Sequence, residues 1–206
     1  MSQAKNLRPL VVVNGLGAPH FVVRAYGAYF RHHGRKVFVA PQKCLYYGDI
    51  RDSAALVAGT VEEALAATGA DRVDLVGMSL GGIIGYYYVA CLGGADTIAS
   101  FVSVGGPVNG CPIAYLGLLP PLVFTKAIKQ CRPNSEIFRE IRSSPDPSNV
   151  RLYSIGTKGD AITSRRCWDA PGFEVITSPH GVFPVGHWML FAHPENLKLV
   201  RGLLDR

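Results

Sequence analysis

Short apolar runs rich in valine, isoleucine and phenylalanine recur along the chain and alternate with longer stretches of helical periodicity. Strands whose residues are almost all apolar are typical of parallel sheets that helices cover on both faces. Six such runs predict strands, at 10–13, 36–40, 73–77, 98–104, 150–155 and 173–177.

The stretches between these runs predict helices, at 21–33, 54–67, 80–92 and 195–204. Gly34 directly follows the first of them, where a glycine can end a helix in the left-handed conformation. Asp52 or Ser53 is placed to cap the second. The alternation of strands and helices predicts an α/β fold of three layers, with a mostly parallel sheet of about six strands and helices on both faces.

One segment breaks this alternation. Residues 108–149 are rich in proline and carry an apolar patch at 113–124. A long insertion within a compact domain is usually functional, as a lid or a binding loop, but it can also be a helical excursion that covers an edge of the sheet. We expect a single domain over 1–206 in which 108–149 forms a lid or cap insertion.

Composition excludes several classes of protein. The chain has 206 residues, of which 48% are hydrophobic and 17% charged, and a disordered chain would be less apolar and more charged. The net charge is +6, but the basic residues are scattered, whereas nucleic-acid-binding proteins concentrate them on one face. We therefore expect no nucleic-acid partner, while weak attraction to an anionic lipid surface stays open.

The cysteines indicate no metal or redox motif. None of them has the C-x-x-C spacing that zinc sites and redox pairs use. A bridge between Cys111 and Cys131 is conceivable, but unpaired cysteines that act as small apolar side chains fit the pattern better. The chain contains five, Cys44, Cys91, Cys111, Cys131 and Cys167, so at least one thiol is free.

No targeting segment stands out. No run reaches the roughly 20 apolar residues that cross a bilayer, and residues 1–9 lack the apolar core of a signal peptide. We expect an intracellular protein, or a secreted one whose leader has been removed.

The strongest chemical signal is a G-x-S-x-G motif centred on Ser79. Gly77 and Gly81 flank the serine, a buried strand is predicted to run straight into it, and a helix is predicted to begin directly after it. This strand–turn–helix context is the one in which a sharp turn exposes a nucleophilic serine. The helix N-terminus then directs its positive end toward the serine oxygen. Ser79 is therefore the candidate nucleophile.

With this motif, the chain resembles the α/β-hydrolase family, and within it the small bacterial lipases and esterases. The resemblance extends over nearly the whole sequence. Five segments carry it in order: Asn-Gly-Leu-Gly at 14–17, Gly-Met-Ser-Leu-Gly at 77–81, Gly-Gly-Pro-Val-Asn-Gly at 105–110, Arg-Pro-Asn-Ser-Glu-Ile-Phe at 132–138 and Gly-His-Trp-Met-Leu at 186–190.

The resemblance implies a catalytic triad in the family's chain order of serine, acid and histidine. Asp160 follows the strand predicted at 150–155 and is favoured as the acid over Asp146 and Asp169. His187 lies in the segment that matches the family's histidine motif and is favoured as the base over His180. Of the other histidines, His20 follows the segment at 14–17 and could lie at the mouth of the site.

The resemblance also implies an oxyanion hole made of the backbone N–H groups of Leu16 and Leu80. The sequence departs from the family at Asn14, where many relatives carry histidine, and at 108–109, where many lipases also carry one. The departure at 108–109 affects a wall contact and leaves the triad intact. The residues expected to contact substrate are Met78, Trp188, Leu116 and Leu119.

These features predict a serine hydrolase that cleaves carboxylic esters, with lipid or medium-to-long acyl esters as the expected substrates. A lipid interface is a further expected contact. An acyltransferase or a non-catalytic binding protein on the same fold is the alternative. Neither a phosphate-binding nor an H-E-x-x-H motif is present, and Gly15 and Gly17 lack the third glycine of a dinucleotide site, so no cofactor or metal is expected.

Overall fold

A computed structural model describes residues 7–18, 20–41, 48–115 and 125–206. Within them, six parallel strands form one sheet in the order β2-β1-β3-β4-β5-β6. Every predicted strand is present within two residues of its expected bounds, which confirms the predicted sheet. The strands are β1 (Leu10–Val13), β2 (Val37–Val39), β3 (Val73–Met78), β4 (Ile98–Val104), β5 (Arg151–Thr157) and β6 (Glu174–Ser178).

Helices connect the strands and cover both faces of the sheet. Helices α2 and α3 pack with α6 against one face, where the side chains of Val11, Leu75 and Phe101 are fully buried. Helices α1, α8 and α9 cover the other face. The helices are α1 (His20–His32), α2 (Ile50–Thr68), α3 (Leu80–Cys91), α4 (Gly94–Thr97), α5 (Lys126–Gln130), α6 (Glu136–Ser143), α7 (Arg165–Trp168), α8 (Gly186–Ala192) and α9 (Pro194–Leu204).

Helix α2 begins a turn earlier than the sequence predicts. Its cap is Asp49, whose carboxylate accepts a hydrogen bond from the Arg51 amide at 2.9 Å. The prediction of Asp52 or Ser53 as the cap is wrong, because both side chains lie within the first turns of the helix and the Ser53 hydroxyl instead donates to the Asp49 carbonyl. Asp49, Asp52 and Ser53 all carry side-chain oxygens that can cap a helix, so the cap can be chosen only once the first helical turn is placed.

The second half of the 108–149 insertion contains α5 and α6, which are linked to α2 and α3 by ion pairs and hydrogen bonds. The guanidinium of Arg51 on α2 forms ion pairs with Glu136 and Glu140 on α6, and the Tyr87 hydroxyl of α3 donates to Glu140 at 2.7 Å. The Gln130 side chain accepts from the Ile50 amide at 2.8 Å. The first half begins with a 3₁₀ turn at Pro112–Tyr115, and residues 116–124 lie outside the described residues.

A buried ion cluster ties the chain ends to the sheet at the end of the strands opposite Ser79. Asp74, near the start of β3, is fully buried and pairs with Arg8 at 3.0 Å and with Arg35 at 2.7 Å. Arg35 also pairs with Asp205 at 2.7 Å and donates to the Leu204 carbonyl at the end of α9.

The cysteines in the described part of the chain form no disulfide, in agreement with the interpretation that they are unbridged; they are Cys91, Cys111, Cys131 and Cys167. The Cys111 amide donates to the Cys131 carbonyl at 2.7 Å, so these two residues are joined through the backbone and not through sulfur. Among the described helices, none combines the length and the apolar character that crossing a bilayer requires.

Candidate active site

Ser79 stands in a sharp turn between β3 and α3, at the carboxyl end of the sheet. Its φ of 50° and ψ of −122° lie in a region that side-chain-bearing residues rarely adopt. The turn requires glycine on both sides, because a Cβ at Gly77 would lie 2.3 Å from the Gly81 carbonyl oxygen and one at Gly81 would lie 2.5 Å from the Val13 carbonyl oxygen. The predicted strand–turn–helix arrangement around the serine is present.

The turn brings Ser79 to a histidine from the far end of the chain. The Nε2 atom of His187 lies 3.0 Å from the Ser79 Oγ, and its Nδ1 atom lies 2.7 Å from the Asp160 Oδ2. Ser79 follows β3, Asp160 follows β5, and His187 opens α8 after β6, so the parallel sheet delivers all three to one edge. The three side chains form one hydrogen-bonded row in which the imidazole is 2% exposed.

The carboxylate of Asp160 is held by its own turn. Its Oδ1 accepts from the Ile162 and Thr163 amides at 2.7 and 2.8 Å, and its Oδ2 accepts from the buried Thr163 hydroxyl at 2.7 Å. Burial alone would raise the pKa of Asp160, but the hydrogen bond and charge of His187 and the bonds from Thr163 outweigh it and hold the pKa below its usual value. The carboxylate is therefore ionised at neutral pH, as a partner of an imidazolium must be.

Replacing Thr163 with valine is expected to lower kcat for a reaction at Ser79 by roughly 10- to 100-fold, because a hydrogen bond to a charged group of about 1.5–3 kcal/mol is lost and the Oδ2 atom of Asp160 is held less firmly against His187. KM should change little, since Thr163 acts through the carboxylate. Steady-state kinetics on a nitrophenyl ester measures both constants. Thr163→Ser keeps the hydroxyl and should retain most of the activity. Equal loss in both variants would mean that packing and not the hydrogen bond matters.

The strain at Ser79 predicts a difference between two variants that both lack the hydroxyl. Its φ and ψ fall in the mirror image of the extended region, which glycine adopts readily and alanine does not. We expect Ser79→Gly to be more stable than Ser79→Ala by about 1 kcal/mol, which raises the melting temperature by roughly 2–4 °C in a chain of this length. Thermal unfolding followed by circular dichroism measures the difference. A melting temperature of Ser79→Gly at or below that of Ser79→Ala would show that the turn stores no strain.

Two backbone amides that the sequence predicts as an oxyanion hole lie in the turns beside the serine. The Leu80 amide belongs to the first turn of α3, whose N–H groups have no carbonyl acceptor within the helix. The Leu16 amide, in the turn after β1, donates no hydrogen bond to any described residue. Both residues line the cavity beside Ser79.

The side chain of Asn14 stabilises the turn after β1, at the position where many relatives carry histidine. Its side-chain oxygen accepts from the Gly15 amide at 2.9 Å, and its side-chain nitrogen donates to the Ala18 carbonyl at 3.1 Å. The 2% exposed side chain thus spans the turn that carries Leu16. The departure from the family's pattern supplies a local brace for the turn.

A cavity of about 560 Å³ opens beside the serine, and its walls are apolar. Met78 and Trp188, two of the residues expected to contact substrate, line it, while the other two, Leu116 and Leu119, lie outside the described residues. The Trp188 ring stands edge-on to the His187 imidazole, with ring centroids 5.7 Å apart. No Lys, Arg, Asp or Glu is among the described lining residues. The others are Asn14, Gly15, Leu16, Gly17, Ala18, Val22, Leu80, Pro107, Cys111, Ala114, Ile128, Cys131, Ala161, Ile162, Thr163 and Phe191.

The alternative acids and base do not join the row. Asp169 is on the surface and pairs with Arg165 at 3.3 Å, and Asp146 is exposed before β5. His180 stacks on His193, with ring centroids 4.6 Å apart. The side chain of His20 lies outside what the structure describes.

Sequence reasoning missed two residues that shape the site, Asn14 and Thr163. The sequence marks Asn14 only as a departure from the family's pattern and gives no sign of its hydrogen bonds. Thr163 gave no signal, because a threonine three residues after an aspartate is common in turns of every kind. The cavity contacts of Val22 and Phe191 were missed in the same way, since both residues are as apolar as the helices that carry them.

The fold is similar to those of several solved structures. A lipase of Bacillus licheniformis, BlEst2 in its mature form, superposes with a TM-score of 0.77 at 15% identity over 98% of this chain and 94% of that one. The chain has an α/β-hydrolase fold. Lipase B of Aspergillus fumigatus matches with a TM-score of 0.78 at 17% identity, over 98% of this chain and 53% of that one.

An α/β-hydrolase from the sediment metagenome of the Mar Chica lagoon in Morocco, MGS-MChE2, matches with a TM-score of 0.61 at 19% identity, over 97% of this chain and 91% of that one. No protein-family model matches the sequence. At these identities the similarity shows a shared α/β-hydrolase fold and does not by itself show which reaction the chain catalyses.

Proposed function

We propose that this α/β-hydrolase-fold chain hydrolyses carboxylic esters through an acyl-enzyme formed on Ser79. The observation that carries the proposal is the hydrogen-bonded row from Asp160 through His187 to Ser79, with distances of 2.7 and 3.0 Å, which ends at an apolar cavity. That the superposed proteins from B. licheniformis and A. fumigatus are named lipases supports the same reaction class.

In the first half-reaction, His187 Nε2 takes the proton from the Ser79 hydroxyl as its oxygen attacks the ester carbonyl carbon. The negative charge that develops on the carbonyl oxygen is met by the amides of Leu16 and Leu80, whose side chains and turns adjoin the serine. Asp160 fixes the imidazole tautomer and stabilises its charged form. The intermediate then collapses, and the alcohol leaves with the proton from His187.

In the second half-reaction, water takes the place of the alcohol. His187 removes a proton from the water, whose oxygen attacks the acyl carbon and regenerates the free serine and a carboxylic acid. Every step uses groups of this chain, so the proposed mechanism needs no metal or organic cofactor.

The lining of the cavity supports an apolar acyl group as the part of the substrate it binds. Charged side chains are absent from its described walls, and Val22, Ile128 and Phe191 contribute aliphatic and aromatic surface. Its volume falls within the range of sites for small organic ligands. A charged acyl chain would lose its hydration there with no compensating partner. We therefore propose neutral esters with medium-to-long acyl chains as substrates.

Exposed apolar side chains on segments that adjoin the cavity residues support contact with a lipid interface. We call them the apolar rim: Phe21, Val182, Phe183, Val185 and Trp188, which are between 50% and 72% exposed. Phe21 precedes the cavity residue Val22, and Trp188 itself lines the cavity. Large exposed apolar side chains that gather at one place mark interaction sites. The rim would rest on the lipid surface and leave the cavity mouth open to it.

Two measurements test the reaction itself. A fluorophosphonate probe should label the wild-type protein on Ser79, label His187→Ala far more weakly, and leave Ser79→Ala unlabelled. Hydrolysis of nitrophenyl esters from acetate to palmitate should show kcat/KM rising with chain length. Labelling that persists in Ser79→Ala would place the nucleophile elsewhere, and a sharp preference for acetate would contradict the acyl cavity.

The rim predicts a separate effect on emulsified substrate. The double variant Val182→Ser/Phe183→Ser is expected to lose about 10-fold or more in the rate on emulsified triacylglycerol and to keep its rate on a soluble acetate ester, because only the surface contact is weakened. Leu92→Ser is the matched control, since Leu92 is an exposed leucine at the opposite end of α3 from Ser79. An equal loss on both substrates would attribute the effect to the site and not to the surface.

A further inference from the structure

Two buried cysteines meet beside the cavity. The sulfur atoms of Cys111 and Cys167 lie 3.5 Å apart, and the two side chains pack with Trp168 in a small cluster of their own. Cys111 lines the cavity, and Cys167 lies behind it, 1% exposed, in the short helix α7. The two cysteines are 56 positions apart in the sequence, so no local spacing marks them as a pair.

The backbone holds the two cysteines together independently of their sulfurs. The Asn109 amide donates to the Cys167 carbonyl at 2.8 Å. The Asn109 side-chain nitrogen donates to the carbonyls of Arg166 and Asp169 at 3.2 and 2.9 Å, which clamps the turn before Cys111 onto α7. The approach of the two main chains therefore does not depend on the sulfur contact.

The thiols of the protein differ in their readiness to ionise. The hydrogen bond with Cys111 outweighs the effect of burial and, with help from Ser164, lowers the pKa of Cys167 to about 6. By contrast, burial raises the pKa of Cys131 to about 12, and burial also raises the pKa of the half-buried Cys91. Since the thiolate is the reactive form, only the Cys111–Cys167 pair, among the described cysteines, combines sulfur contact with a thiolate at neutral pH.

We propose that Cys111 and Cys167 form an oxidant-sensitive site, which hydrogen peroxide entering through the cavity converts to an intramolecular disulfide. This site does not depend on the proposed ester hydrolysis. It is a covalent modification of the cavity wall.

The step balances with peroxide as the two-electron oxidant. The Cys167 thiolate takes the proton of Cys111 as the Cys111 sulfur attacks a peroxide oxygen; an S–O bond forms, the O–O bond breaks, and hydroxide leaves. Cys167 then attacks the Cys111 sulfur, forming the S–S bond, while its proton departs with the sulfenic oxygen as water. The hydroxide takes up a proton equivalent to the one that Cys167 lost to solvent when it ionised, and becomes the second water. Two thiols and one peroxide therefore give one disulfide and two waters.

The crosslink would join the cavity wall to α7 and loosen its contact with the turn that holds Asp160. The Cys111 sulfur contacts the Ile162 carbonyl at 3.6 Å, and the Ile162 amide is one of the donors to the Asp160 carboxylate. A sulfur drawn toward Cys167 leaves that carbonyl contact.

Peptide mapping of the folded full-length protein tests the proposal. The protein is treated with hydrogen peroxide at neutral pH, alkylated without reduction, digested and analysed by mass spectrometry. We expect a peptide that links Cys111 to Cys167, with loss of two alkylatable thiols per chain, and dithiothreitol should restore both. Cys91→Ser is the matched control, because Cys91 contacts only Ser144 among the described thiols and hydroxyls, and its variant should form the link as wild type does.

Variants that lack the Cys167 sulfur should not form the disulfide. Cys167→Ser and Cys167→Ala should form no link and should leave Cys111 alkylatable or oxidised to its sulfenic or sulfinic acid. Using both variants separates loss of the sulfur from any folding defect, which circular dichroism would reveal. The proposal is overturned if peroxide leaves both thiols alkylatable in the wild-type protein, or if Cys111 or Cys167 links instead to Cys44, Cys91 or Cys131. Because the readout is the crosslink, these outcomes are independent of ester hydrolysis.

Discussion

Ser79→Ala is expected to lower kcat for nitrophenyl ester hydrolysis by about 10⁴- to 10⁶-fold. The variant keeps the cavity and the Leu16 and Leu80 amides but loses the only oxygen within hydrogen-bonding distance of His187 Nε2 among the described side chains. Members of such a row act as a unit, so removing the nucleophile removes nearly all the acceleration that depends on it and leaves what the oxyanion donors and substrate binding provide. Stopped assays at high enzyme concentration measure the residual rate.

Ser148→Ala is the matched control, because it is an exposed serine before β5, at the end of the sheet opposite the cavity. Its rate should equal that of the wild-type protein. The double variant Ser79→Ala/His187→Ala should be hardly slower than Ser79→Ala alone, since the two groups serve the same step. If Ser79→Ala retains more than a few per cent of the wild-type kcat, the acyl-enzyme proposal is wrong.

The sequence predicts those features of this protein that a few consecutive residues determine. The six strands follow from runs of apolar residues, and the turn at Ser79 follows from glycines whose absent side chains make room for backbone on either side. His187 and Asp160 could be chosen because the resemblance to α/β-hydrolases ordered them along the chain. Their meeting with Ser79, across 108 residues in the case of His187, is a property of the parallel sheet.

Features that depend on two distant and ordinary residues were not predictable. No local pattern marks Cys111 and Cys167 as neighbours, because their approach depends on the clamp that Asn109 forms with α7. Similarly, the capping position of α2 was misassigned because Asp49, Asp52 and Ser53 are chemically equivalent candidates until the position of the first helical turn is known. An aspartate inside an apolar strand, Asp74, likewise gave no indication of its partners.

Asp74→Ala is expected to destabilise the folded protein by about 3–5 kcal/mol, out of a total that is typically 5–15 kcal/mol. Asp74 is fully buried and compensates two guanidinium groups, one of which, Arg35, is also buried. Removing the carboxylate leaves the Arg35 charge without its fully buried partner in a place that water does not reach. Urea unfolding followed by circular dichroism gives the free-energy difference. Ester hydrolysis by the fraction that stays folded should be unchanged, because Asp74 and Ser79 lie at opposite ends of β3.

The comparison with Asp205→Ala separates burial from pairing. Asp205 pairs with the same guanidinium at the same 2.7 Å, but its side chain is 32% exposed, and Arg35 would keep Asp74 and the Leu204 carbonyl. A loss of about 1 kcal/mol or less is expected there. The double variant Arg35→Met/Asp74→Leu should recover much of what Asp74→Ala loses, because it removes both buried charges together. If instead the two aspartate variants lose equal stability, desolvation of Arg35 is not what Asp74 offsets, and the cluster stabilises the chain only as a set of surface ion pairs would.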